Sequence, residues 1–127
     1  MFGGFAGGSR INSLRACTFT APNNLAWSLL KAGERPSKTF PIERNAHSAV
    51  AHSSSVFAFG GQDEDNNKLN DLWEFNLTTK QWSQVVYQDA TAGADIARSG
   101  HVAVTFGAKM YIFGGIVEVM VDIVSFV

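Results

Sequence analysis

The sequence is poor in cysteine, proline and net charge, and it has no long apolar run. Cys17 is the one cysteine of 127 residues, so no internal disulfide can form. A small secreted scaffold held by disulfide staples is excluded, and a reducing, cytoplasmic setting is expected. Ten Lys and Arg stand against eleven Asp and Glu, a net charge of -1 that supplies no field to gather nucleic acid or anionic lipid. The first nine residues contain no basic residue, and Gly3, Gly4, Gly7 and Gly8 interrupt Phe2, Phe5 and Ala6, so no signal peptide is expected. Ile116 to Val127 is rich in Val and Ile, but it carries Glu118 and Asp122 and falls short of the ~20 apolar residues that span a bilayer. Membrane insertion is not expected. What remains is 46% hydrophobic and 17% charged, a composition that folds, and twelve Gly against three Pro point to short strands and tight turns.

The sequence repeats itself. Aligned without gaps at an offset of 54, residues 44–61 and 98–115 share seven identities in eighteen positions: Arg44/Arg98, His47/His101, Ala49/Ala103, Val50/Val104, Phe59/Phe113 and both following glycines. Outside that window Phe2-Gly3-Gly4 precedes Phe59-Gly60-Gly61 by 57, Trp27 precedes Trp82 by 55, and Asp71-Leu72-Trp73-Glu74-Phe75 recurs loosely as Asp122 to Phe126. One unit therefore reads Arg-x-x-His, an apolar run into Phe-Gly-Gly, a polar gap, Asn-Asp-Leu-Trp-x-Phe, then a lone Trp.

Each piece reads as a strand. Val56 to Phe59 and Met110 to Phe113 are short all-apolar runs stopped by Gly-Gly, which predicts strands covered on both faces. The stretch Asn76 to Lys80 is short enough for a hairpin turn, and no segment of the repeat has helical spacing over three turns. Four short strands per unit predict a twisted antiparallel sheet of the kind that stacks radially in a propeller.

On Phe59-Gly60-Gly61, Asn70-Asp71-Leu72-Trp73-Glu74-Phe75, Trp82 and Arg98-Ser99-Gly100-His101, the chain resembles kelch repeats, in the intracellular form of the leucine-zipper-like ubiquitin-ligase adaptors. The resemblance implies an all-β fold, a partial kelch β-propeller of about two to three four-stranded antiparallel blades, incomplete at both ends. It divides the chain into 1–42, an incomplete first blade and linker; 43–97, a second blade with its following connection; and 98–127, an incomplete third blade. The first unit offers either Asn12-Ser13-Leu14-Arg15 or Ala16-Cys17-Thr18-Phe19 in place of Asn-Asp-Leu-Trp. Propellers close with about four to eight blades of ~50 residues, so a fragment of a larger ring is expected.

Candidate chemistry is sparse. Asp63-Glu64-Asp65-Asn66-Asn67, with Glu74 twelfth, partly copies a calcium loop, but Lys68 stands where the sixth-position glycine belongs and both flanks read as strands; the reading is a solvated acidic loop. His47 and His101 occupy equivalent repeat positions, as Arg44 and Arg98 do, which points to one set of structural bonds made twice; His52 has no repeat counterpart. Ser28-x-x-Lys31 lacks the companion motifs of acyl-transfer enzymes, the N-terminal glycines miss G-x-G-x-x-G spacing, and the Asn76-Leu77-Thr78 acceptor lies in a hairpin of a chain expected to be intracellular. The periodic placement of Trp27, Trp73 and Trp82 points to blade core. No metal, cofactor or catalytic residue is expected.

The resemblance implies a non-catalytic protein-interaction module, a scaffold or adaptor binding another protein. The alternative it carries is part of a metal-dependent kelch-like enzyme of the galactose oxidase or nitrile-specifier kind. Strand alternation puts two short turns of the second unit on one rim and two long connections, from Gln62 to Asn70 and from Val86 to Ala97, on the other. Recognition is expected on the long-loop rim, where Gln62, Asp63, Glu64, Asp65, Asn66, Asp89 and Asp95 suit a basic partner segment. Self-association through open blade ends is a further expectation.

Overall fold

The computed structural model describes residues 1–86 and 96–117. It is all-β, with no α-helix among the described residues, and it forms an open, partial propeller of successive antiparallel sheets. The second unit is a complete four-stranded blade in the order β5 (Ser48–His52), β6 (Ser55–Phe59), β7 (Leu72–Asn76) and β8 (Gln81–Val85). In the first unit β1 (Phe5–Ala6) and β2 (Ser9–Arg10) form a miniature hairpin around Gly7-Gly8, and β3 (Leu14–Ala21) pairs with β4 (Asn24–Lys31). In the third, β9 (Val102–Phe106) pairs with β10 (Lys109–Phe113).

Turn chemistry sets the strand lengths. Ser53 takes a positive φ in the two-residue β5–β6 turn, and Asn76 Oδ1 accepts from the Thr78 and Thr79 amides to close the β7–β8 turn. Phe2 bridges Leu14 as Phe59 pairs with Leu72, and Cys17 faces Trp27 as Phe75 faces Trp82. That register selects Asn12-Ser13-Leu14-Arg15 as the first unit's counterpart of Asn70-Asp71-Leu72-Trp73.

The core lies between units. Phe2 of the first unit packs on Trp82 of the second at 4.7 Å, within a cluster that also buries Leu14, Phe40, Ala58, Trp73 and Phe75. Phe59 of the second unit joins Ile112 of the third, with Ile96 of the connection between them, in the same way. Burying side chains of this size stabilises the fold by about 1.5–3 kcal/mol each. Two expectations are corrected by this arrangement. Trp82 is only 4% exposed, but Trp27 at the matching place on β4 is 56% exposed, because among the described residues no sheet lies on its face. β6 is covered on both faces, whereas β10 buries Ile112 on one face and leaves Phe113 62% exposed on the other.

Candidate interaction rim

The repeated residues build the joint between blades. Arg44 is fully buried at the entry to β5; it donates through Nη1 and Nη2 to the two carboxylate oxygens of Asp71 at 2.6 and 2.7 Å, through Nη1 to the Gly60 carbonyl at 3.0 Å, and through Nε to the Ile42 carbonyl. Trp73 Nε1 donates to the same Asp71. Arg98 repeats the pattern, with Nε to the Ile96 carbonyl and Nη1 to the Gly114 carbonyl. Main-chain bonds are duplicated as well: Gly4 N donates to the Arg44 carbonyl and Gly61 N to the Arg98 carbonyl, both at 2.8 Å. The paired glycines are required here because a Cβ on Gly3 would lie 2.7 Å from the Arg44 carbonyl oxygen, and one on Gly60 would lie 2.8 Å from that of Arg98.

The two histidines seal the same joints. Their rings stand edge-on to the preceding unit's phenylalanine, His47 on Phe2 and His101 on Phe59, and His101 Nε2 hydrogen-bonds Ser48 Oγ at 2.8 Å across the blade boundary. Burial lowers both pKa values to about 4, assisted by the charge of Arg44 beside His47 and of Arg98 beside His101. Both imidazoles are therefore neutral near pH 7. Among the described residues no group of three or more His, Cys, Asp and Glu gathers as a metal site, and no helix is long and apolar enough to cross a membrane.

The long β6–β7 connection is a built structure. Asp63 Oδ1 accepts from the amides of Asp65 and Asn67, Oδ2 accepts from Asn67 Nδ2, and Asn66 turns the chain with a positive φ. Gln62 exchanges main-chain bonds with Asn45 and accepts from Lys68 Nζ at 2.8 Å. Arg10, at the end of β2, then clasps this loop from the neighbouring unit. Its main-chain N–H donates to Glu64 Oε1, Nε donates to Asn45 Oδ1 at 2.6 Å, and Nη2 donates to Asn66 Oδ1 at 2.7 Å; Nη1 lies 3.5 Å from Glu64 Oε2. Five expected rim residues, Gln62, Asp63, Glu64, Asp65 and Asn66, thus sit together, but four of them spend polar atoms on holding the loop. The Asp65 carboxylate is exposed and takes no part in the clasp. Asp89 and Asp95 lie outside the described residues.

Sequence reasoning missed Arg10. Its signal is the Gly7-Gly8 turn, which folds Phe5 to Arg10 into a hairpin and aims the arginine at the next unit. Beside it on the same rim opens a cleft of about 390 Å³, lined by Arg10, Asn12, Gly33, Glu34, Arg35 and Glu43 among others. Asn12 fixes its floor, donating through Nδ2 to the Glu34 and Pro41 carbonyls.

Radial sheets fastened by a repeated Arg, His and Phe-Gly-Gly joint define a β-propeller repeat protein. The family profile described as the KLHDC2/KLHL20/DRC7 kelch-repeats domain matches residues 1–123, and the chain belongs to the kelch-repeat family. It is 32% identical over 120 residues to Kelch domain-containing protein 3 of Bos taurus, covering 90% of this chain and 31% of that protein. It is 40% identical over 73 residues to the Leucine-zipper-like transcriptional regulator 1 homolog of Drosophila melanogaster, covering 58% of this chain and 7% of the other. The chain thus spans less than a third of either relative. In fold it resembles the solved structure of YjhT, with a TM-score of 0.60 at 17% identity over 92% of this chain and 34% of that one. Kelch-repeat relatives of this kind point to a protein-interaction module.

Proposed function

We propose that the chain is the non-catalytic recognition portion of a larger kelch propeller, a scaffold or adaptor that captures a protein partner on the rim of long connections. Its units are the first 42 residues, residues 43–97 and residues 98–127. The observation that carries this reading is the Arg10 clasp, which holds the Gln62 to Asn70 loop in one shape beside a cleft on the same rim. A loop already ordered loses less conformational entropy when a partner binds. Arg10 pairs with Glu64, and the Asp63 carboxylate accepts from the Asp65 and Asn67 amides and from Asn67 Nδ2, which leaves Asp65 as the loop carboxylate open to a partner. The partner segment that fits presents a basic side chain there.

Fluorescence anisotropy with a basic, a neutral and an acidic peptide of equal length tests the reading. Binding of the basic peptide, weakened several-fold by Asp65→Lys with thermal unfolding unchanged, is the expected result. Undiminished binding in Asp65→Lys, with loss on changing Ser54 or Thr79 in the short turns, would place recognition on the opposite rim.

A further inference from the structure

We propose that the seam between the β1–β2 hairpin and the Gln62 to Asn70 loop is a two-walled seat for an arginine side chain of the partner, with the Phe5 ring as one wall and the Asp65 carboxylate as the other. The inference rests on the rim reading and deepens it, from a basic side chain at Asp65 to a pair of contacts that select arginine.

Phe5 is placed by its hairpin. Around Gly7-Gly8, Ala6 pairs with Ser9 and Phe5 with Arg10, and one step further on Ile11 N donates to the Gly4 carbonyl at 3.0 Å. Phe5 and Arg10 therefore form the pair that exchanges no main-chain bonds, the kind whose side chains stand closest together on one face. The Arg10 N–H, left out of the ladder, donates to Glu64 Oε1 instead. The Arg10 side chain leaves the hairpin for the second unit, where Nε bonds Asn45 and Nη2 bonds Asn66. The hairpin face that carries Phe5 is thus the face turned to the loop, and Phe5 is still 61% exposed there.

Asp65 is placed by the same arginine. It stands between Glu64 and Asn66, the two loop residues that Arg10 holds, and its amide is fixed on Asp63 Oδ1 while its carboxylate is exposed. Arg10 thereby sets both walls, one by cross-strand pairing and the other by bonding both of its neighbours. The seat is formed within residues 5–66, by two units that already meet. A ring alone accepts any apolar group, and a carboxylate alone accepts any cation. Together they select a cation carried on an apolar stem, and arginine fits best, because its planar guanidinium stacks on a ring and its fork of N–H donors matches a carboxylate. The cations nearby do not oppose it. The Arg10 side chain is only 8% exposed and faces Glu64, and Lys68 Nζ is spent on Gln62 Oε1 and the Asn66 carbonyl.

Amide NMR titration of the 127-residue chain decides the matter. The probes are a short acetylated peptide with one central arginine and its lysine and citrulline counterparts. The arginine peptide should shift the Phe5 and Asp65 amides together, the lysine peptide should bind more weakly, and citrulline, the same shape without the charge, should not bind. Phe5→Ala and Asp65→Asn should each weaken the arginine peptide about threefold or more. Phe5→Tyr should retain binding, which separates loss of the ring face from any disturbance of the hairpin. Binding that Asp65→Asn weakens but Phe5→Ala leaves unchanged overturns the seat while the rim reading stands. Equal binding of citrulline and arginine also overturns the seat. Shifts confined to the short turns around Ser54 and Thr79, or no shifts with any probe, overturn the seat and the rim reading together.

Discussion

Arg44 and Asp71 stand 27 residues apart in the chain and meet in a two-point ion pair, with Arg44 completely buried and the Asp71 side chain 18% exposed. The pair ties the entry of β5 to the entry of β7, and through the Gly60 carbonyl it also holds the exit of β6. Asp71→Asn would leave a buried guanidinium with its compensating charge removed. The expected loss is about 3–5 kcal/mol in urea unfolding, while the double replacement Arg44→Met with Asp71→Leu should recover most of it. A double variant as unstable as the single one would show that the hydrogen bonds to the Gly60 and Ile42 carbonyls, rather than the charge pair, hold the blade.

Acid should loosen the joints between units before it affects the strands. His47 and His101 have folded pKa values of about 4, set first by burial, against 6.5 in the unfolded chain. Between those values the unfolded chain binds more protons, so stability is full above pH 6.5, declines as pH falls, and has lost this contribution below about pH 4. Each histidine is worth on the order of 1–3 kcal/mol across that window. Unfolding midpoints measured from pH 7.5 to 4 should fall, and His101→Gln should flatten part of the slope. An unchanged slope in that variant would remove His101 from the account.

Much of this joint was legible in the sequence, because a residue needed at every blade boundary must recur with the blade. Arg44 with Arg98, His47 with His101, and the Phe-Gly-Gly triplets all announced themselves that way, although recurrence alone did not show that the arginine's partner is Asp71. Two features were not legible. The Arg10 clasp joins residues 35 to 56 apart that sit at non-repeating loop positions, so no period marks it. Trp27 was readable as a fourth-strand residue, but its exposure was not, since burial of a blade face is a property of the neighbouring sheet.

Glycine replacements should separate packed joints from open ones. Gly60 and Gly114 share a left-handed backbone, with φ of 65° and 72°, so alanine costs both of them about 1 kcal/mol of strain. Only Gly60 also faces the Arg98 carbonyl at 2.8 Å and the His101 ring at 3.0 Å from its Cβ position. Gly60→Ala should therefore lower the unfolding midpoint well beyond Gly114→Ala. Equal losses would mean that backbone strain accounts for both and that the close approach of the third unit contributes nothing.

The tryptophans report the same distinction optically. Trp82 and Trp73 are buried, Trp82 between Phe2 and Phe75 at 4.7 and 5.1 Å, whereas more than half of Trp27 is open to solvent on β4. In dilute monomer, acrylamide should quench one component of the emission readily, and Trp27→Phe should remove that component while leaving the shielded remainder. The energetic contrast runs the other way. Trp82→Ala empties a site shared by two units and should cost about 3–5 kcal/mol, while Trp27→Ala removes an exposed ring and should cost under about 1 kcal/mol. A Trp27 that is shielded in dilute monomer would show that its face is covered within the single chain.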